Sequence, residues 1–489
     1  MKKSLQPVLW ITFLKLTRIA CGLALFFSCA AAEAVPQEAA LQFGAPFADH
    51  AVFQQGITLP IWGNASPGAT IEASFAGQSK TTTANADGTW RLALDPLKAV
   101  KLKSVNDTPE THTLKITSTL NGEKVVRELR DIVIGDVWLC AGQSNIAGGI
   151  RTAVNEKNHP PDTVAVAHYP GMRFLKVEEK SWDVCTPETV LSCSRVSFFF
   201  ARRVQQETLV PIGLIVRAVG GSNIENWLNQ EPHPVGAHYA KLMTPVVGSG
   251  IRGAIWYQGE ANQNDKLAYR PKLESLITGW RKAWGQGDFP FHFVQLPGIH
   301  ESTTDNPAMG DGRAGIRQAY VETLALPHTG MAVTIDVGTK GEHPPNKFDT
   351  AERLARSVLK KVYGLTNITA CPLYKSHKIE GSAIRVSFTD DAKAGLMIAQ
   401  KATTLPEAYA LPTPTPDAKI SWLSLKDESG QWHWADAKID GAEIVVSAKG
   451  VEKPVAVRYA YTTQPLGHLL YNKDGLPVGP FSTSGHDTP

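Results

Sequence analysis

The sequence predicts an α/β protein, with a central parallel-sheet domain between two β-rich regions of sandwich type. Three observations carry this expectation. Residues 131–370 alternate strand-like apolar runs with helical stretches, the pattern of βαβ units. Residues 35–130 and 371–489 hold short strand-like runs separated by turn dipeptides. The chain has 489 residues, 43% hydrophobic and 19% charged, an ordinary globular composition long enough for several domains.

Residues 1–34 read as a secretory signal, which predicts a secreted or periplasmic protein. Lys2 and Lys3 open it, an apolar run spans Gly22 to Cys29, and Ala32-Glu33-Ala34 fits a small-x-small cleavage site. Val8 to Leu14 is a second apolar stretch, so the leader is long. Cys29 offers a lipoprotein alternative, which Phe26-Phe27-Ser28 matches imperfectly. Removing the leader takes away four positive charges and one negative, so +3 becomes 0. That balance gives no reason to expect nucleic acid or an anionic membrane as partner. No other segment approaches the roughly 20 apolar residues that span a bilayer. Of the remaining cysteines, Cys185 and Cys193 are close enough in sequence to bridge in an oxidising compartment. Cys140, inside an apolar run, reads as a packed thiol, and no cysteine spacing suits a metal.

The elements follow in order. Leu59 to Trp62, Ala69 to Phe75, Thr89 to Leu94, His112 to Thr119 and Lys124 to Leu129 read as strands. Ser66-Pro67-Gly68, Asp87-Gly88 and Asn121-Gly122 mark the turns. In the central region, Val137 to Cys140 ends a buried strand. A helix is expected over Val196 to Leu209, then strands over Pro211 to Ala218 and Ile251 to Trp256. A helix over Leu267 to Trp284, a strand over Phe291 to Leu296 and a helix over Ile316 to Leu326 come next. A strand over Gly330 to Ile335 and a helix over Thr350 to Tyr363 complete the domain. Beyond it, Ile384 to Phe388, Gln431 to Ala435, Glu443 to Ser447 and Val455 to Tyr461 are strand-like, and Leu405 to Asp417 is a proline-rich loop.

The chemistry gathers in loops after the central strands. Gly142-Gln143-Ser144-Asn145 breaks the first strand, and Gly142 permits a sharp turn there. Ile146 stands where a Gly-x-Ser-x-Gly elbow would carry its second glycine, which argues against an α/β-hydrolase. Gly220-Gly221 follows the second strand and Gln258-Gly259-Glu260-Ala261-Asn262 the third. In a parallel sheet such loops meet at one edge. There the Ser144 hydroxyl is a candidate nucleophile. A backbone N–H of Gly220 or Gly221 and the Asn262 amide are candidate oxyanion donors. His343, after the last strand and stiffened by Pro344-Pro345, is the candidate base. Glu260, Asn262, Asn264 and Asp265 lack the loop pattern of a calcium site.

Four motifs together resemble the sialate O-acetylesterases, a family of SGNH-type carbohydrate esterases. They are Gly-Gln-Ser-Asn after Asp-Val-Trp-Leu-Cys, the Gly220-Gly221-x-x-Ile-Glu-x-Trp loop, Trp256-Tyr-Gln-Gly-Glu-x-Asn262, and His343-Pro-x-Asn-Lys347. The resemblance implies an SGNH-hydrolase-like, flavodoxin-like central domain and a cofactor-free serine esterase without a metal, acting on O-acetylated sugar. It implies Ser144 as nucleophile and His343 as base, with Ser144, Gly221 and Asn262 as oxyanion donors. The family commonly places an aspartate two or three residues before the histidine, where this chain has Gly341 and Lys340. Glu342 and Asp336 are therefore the candidates for a third triad member, and a Ser–His dyad is the alternative. Gln143, Gln258, Glu260, Trp227 and Arg317 are candidate substrate-binding residues. An acetylxylan or other acyl-sugar esterase is the neighbouring reading, and a non-catalytic carbohydrate-binding protein is the reading of another class.

Overall fold

A parallel sheet forms the middle of the molecule, and its strand order decides where a site can lie. The computed structural model describes residues 41–176, 181–300 and 305–485. The expected leader lies outside the described residues. The sheet is built from β1 (Glu123–Gly142), β2 (Tyr169–Leu175), β3 (Trp182–Cys185), β4 (Ile212–Ala218), β5 (Gly253–Tyr257), β6 (Phe291–Val294) and β7 (Thr329–Ala332). The order is β3-β2-β4-β1-β5-β6-β7, with β3 antiparallel to β2 and the rest parallel. Chain order reverses at β1, which has β4 on one side and β5 on the other. Such a reversal opens a crevice at the carboxyl ends of the strands.

Strands β4 to β7 form where expected because they are buried on both faces, and a doubly covered parallel strand reads as a continuous apolar run. Every residue of β4, β5, β6 and β7 is buried. The covering helices include α1 (Ser144–Ala147), α2 (Arg195–Thr208), α3 (Tyr269–Trp284), α4 (Ala314–Thr323) and α5 (Lys347–Lys361). Ser194 caps α2 by accepting from the Ser197 N–H at 3.2 Å, and Asn346 caps α5 by accepting from the Asp349 N–H at 3.0 Å. Between β5 and α3, the edge-to-face chain Trp227–Trp256–Trp280 fills the core at centroid separations of 5.9 and 5.7 Å.

β1 does two jobs. Its first half pairs antiparallel with the strand His112–Leu120, and its second half enters the central sheet. Asp131 sits between the halves at φ +56, and its carboxylate takes Arg173 at 2.9 Å and His50 at 2.6 Å. The break read between Leu129 and Val137 is thus a kink within one 20-residue strand. The strand Gln78–Thr83 was not expected, because its sequence is wholly polar. Its burial pattern alternates half-buried with exposed, so it offers no hydrophobic face to read. After residue 371 the chain forms three antiparallel sheets of four, three and four strands. Cys185 and Cys193 are buried free thiols rather than a disulfide. Among the described residues no helix is long and apolar enough to cross a membrane.

Candidate active site

The carboxyl ends of β1, β4, β5 and β7 bring the sequence motifs together. Ser144 opens α1 directly after β1. Gly142 must be glycine there, since its φ is +142 and a Cβ would lie 2.1 Å from the Tyr257 carbonyl oxygen. His343 arrives from the loop between β7 and α5. Its Nε2 is 2.8 Å from Ser144 Oγ, although the two residues are 199 positions apart. The pair therefore stands within proton-transfer reach.

Donors for a developing oxyanion flank the hydroxyl. Gly220, after β4, lies so near that a Cβ on it would sit 3.7 Å from Ser144 Cβ. The N–H groups of Ser144, Gly220 and Gly221 take no acceptor from the described residues. Asn262 differs from expectation. Its Nδ2 donates to Glu225 at 3.1 Å and to Asp265 at 2.8 Å, so both amide hydrogens are engaged. Lys272 neutralises those carboxylates at 2.5 and 2.7 Å. Asn262 Oδ1 meanwhile accepts from the Ile224 N–H and from Gln258, which ties the second loop to the third.

Neither candidate acid reaches His343. Glu342 turns to Arg313 at 2.5 Å, and Asp336 is buried against Arg353 and the Tyr471 hydroxyl. Among the described residues the His343 ring makes one hydrogen bond, to Ser144. The ion pair with Arg313 holds the Glu342 carboxylate.

The five candidate substrate contacts are all buried and have partners inside the protein. Gln143 Oε1 accepts from the N–H groups of Gly259 and Ala261 at 3.4 Å each. Gln258 donates to the Ser222 carbonyl and accepts from Tyr269. Trp227 packs in the tryptophan chain, and its indole N–H goes to Ser222 Oγ at 3.0 Å. Arg317 spends its guanidinium on the carbonyls of Leu296, Thr462 and Thr463. Glu260 accepts from Asn145, and burial raises its carboxyl above the usual range.

Asn145, Lys347 and Arg313 belong to the same buried layer, and sequence reasoning gave them no role. Lys347 donates to Asn145 Oδ1, and burial pushes its ammonium down to about 7. Asn145 and Lys347 were visible as motif letters, but Arg313 left no signal.

Comparisons with known proteins find carbohydrate esterases among the proteins this chain resembles. Residues 134–357 match the family model described as carbohydrate esterase, sialic acid-specific acetylesterase. The sialate O-acetylesterase of Homo sapiens is 27% identical, over 86% of this chain and 88% of that protein. The sialate O-acetylesterase of Mus musculus is 25% identical, over 86% of this chain and 90% of that protein. A carbohydrate acetylesterase of known crystal structure from Xanthomonas citri is 30% identical. It superposes with a TM-score of 0.77, covering 92% of this chain and all of that one.

Proposed function

Given that the chain belongs to the sialic acid-specific acetylesterase family of carbohydrate esterases and is an ester hydrolase, we propose that it removes O-acetyl groups from sugar by a Ser144–His343 dyad. The contact of 2.8 Å between Ser144 Oγ and His343 Nε2 carries this reading. Ser144 Oγ attacks the acetyl carbonyl as His343 Nε2 takes its proton. The oxyanion accepts hydrogen bonds from the Ser144 N–H and from the Gly220-Gly221 pair, each typically worth about 2.7–4 kcal/mol in the transition state. His343 then protonates the departing sugar hydroxyl, which leaves an acetyl-enzyme. Water attacks that ester while His343 takes its proton, and acetate leaves with Ser144 restored. Among the described residues no carboxylate hydrogen-bonds the imidazole, and Pro344-Pro345 stiffen the loop that carries it.

The central domain is read as SGNH-type. Apart from β3 and β2 on one side, the strands β4-β1-β5-β6-β7 run 2-1-3-4-5 in chain order, the flavodoxin-like order. We read residues 1–34 as an export signal, which places the enzyme outside the cytoplasm. O-acetylated sialic acid is the proposed substrate. Acetate release from it by the purified enzyme should exceed release from acetylated xylan. Faster release from xylan would replace sialate with another acetylated sugar.

A further inference from the structure

Ser144 reaches the surface, and the next residue, Asn145, is 2% exposed. One amide hydrogen of Asn145 goes to the Glu260 carboxylate and the other to the Glu342 carbonyl at 3.0 Å. Its Oδ1 accepts from the Lys347 ammonium. Glu260 and Lys347 make no direct ion pair, and the asparagine amide joins them.

An amide set between a carboxylate and an ammonium has one favourable orientation. Flipping it would turn Oδ1 toward the carboxylate and the NH2 group toward the ammonium, both repulsive. The second N–H is thereby left aimed at the carbonyl of Glu342, the residue before His343. The loop on the other side of His343 is held by Pro344-Pro345. From this arrangement, which rests on the Ser144–His343 reading, we propose that Asn145 is a positioning residue. It holds the loop of the base in register with the turn of the nucleophile, and Glu260 and Lys347 set its orientation.

Burial opposes both ions: it raises the Glu260 carboxyl and lowers the Lys347 ammonium, with Arg195 adding to the second effect. Buried ions contribute little net stability compared with apolar residues of like size. Two of them joined through the neighbour of the nucleophile fit a positional task.

Asn145→Asp tests this, because it keeps the shape and removes both donors. The expected result is kcat on an aryl acetate about 100-fold lower, the size of effect that a misplacement near 1 Å produces. KM should stay within about twofold, and sulfonyl fluoride should inactivate Ser144 correspondingly slowly. If that variant does not fold, the double variant Glu260→Gln with Lys347→Met decides. It removes both buried ions together, and kcat should fall about 10-fold as the amide loses its fixed orientation. A folded Asn145→Asp enzyme, or a folded double variant, with parental kcat overturns the proposal. Activity retained by Ser144→Ala would instead sink the underlying dyad. An inactive Ser144→Ala beside a fully active Asn145→Asp would sink this inference alone.

Discussion

Glu342 stands next to the base and yet belongs to another task. Its carboxylate pairs with Arg313, which also donates to the Pro297 carbonyl at 3.0 Å and to Gln263 at 3.1 Å. Losing that carboxylate loosens the loop but leaves the imidazole on Ser144. Glu342→Gln should therefore lower kcat by no more than about 10-fold, whereas His343→Ala should lower it by about 10⁴ or more. Equal losses from the two substitutions, measured on one aryl acetate, would make Glu342 a triad member after all. Ser144 and His343 were legible because each follows a strand in a setting that restrains the backbone, glycine for one and proline for the other. The tasks of Asn262 and Glu342 were not legible. A motif fixes a residue type at a position, and it does not say which way the side chain turns.

His292 illustrates the element scale. It lies in β6, is 1% exposed, and its Nδ1 is 3.0 Å from Ser357 Oγ on α5. Burial pushes its pKa down to about 3, with Lys361 adding to the effect. The folded protein thus keeps the ring neutral, while an unfolded chain takes up a proton below about pH 6.5. Between pH 6.5 and 3 the unfolded state gains protons that the folded state does not. This one residue should then remove about 1.4 kcal/mol of stability per pH unit as pH falls through that window. Denaturant melts of the parent and of His292→Asn should diverge in slope there, and parallel slopes would exclude the effect. Elements of this kind were the most legible part of the chain. β4 to β7 and the helices beside them fall within a few residues of where apolar runs and helical spacing put them. β2 was missed, since Tyr169-Pro170-Gly171 at its start reads as a turn.

The whole molecule adds what no local pattern contained. The described residues form one compact unit, and several side chains tie the α/β core to the chain beyond residue 371. Arg317 on α4 is the clearest, reaching the Thr462 and Thr463 carbonyls across 145 and 146 positions. Asp336 accepts from Tyr471 at 3.2 Å in the same sense. Arg317→Met should leave buried carbonyls unpaired and cost about 3 kcal/mol of stability. KM for the folded fraction should not change, and a rise of 10-fold or more would return Arg317 to substrate binding. Pairings over such separations cannot be read from periodicity, which reports only near neighbours. The central claim is that one hydroxyl carries the acetyl group. Acetate release from O-acetylated sialic acid by Ser144→Ala, with its fold verified by circular dichroism, tests that claim most directly. Activity should fall by about 10⁴ or more, and hydrolysis at the parental rate would contradict the account.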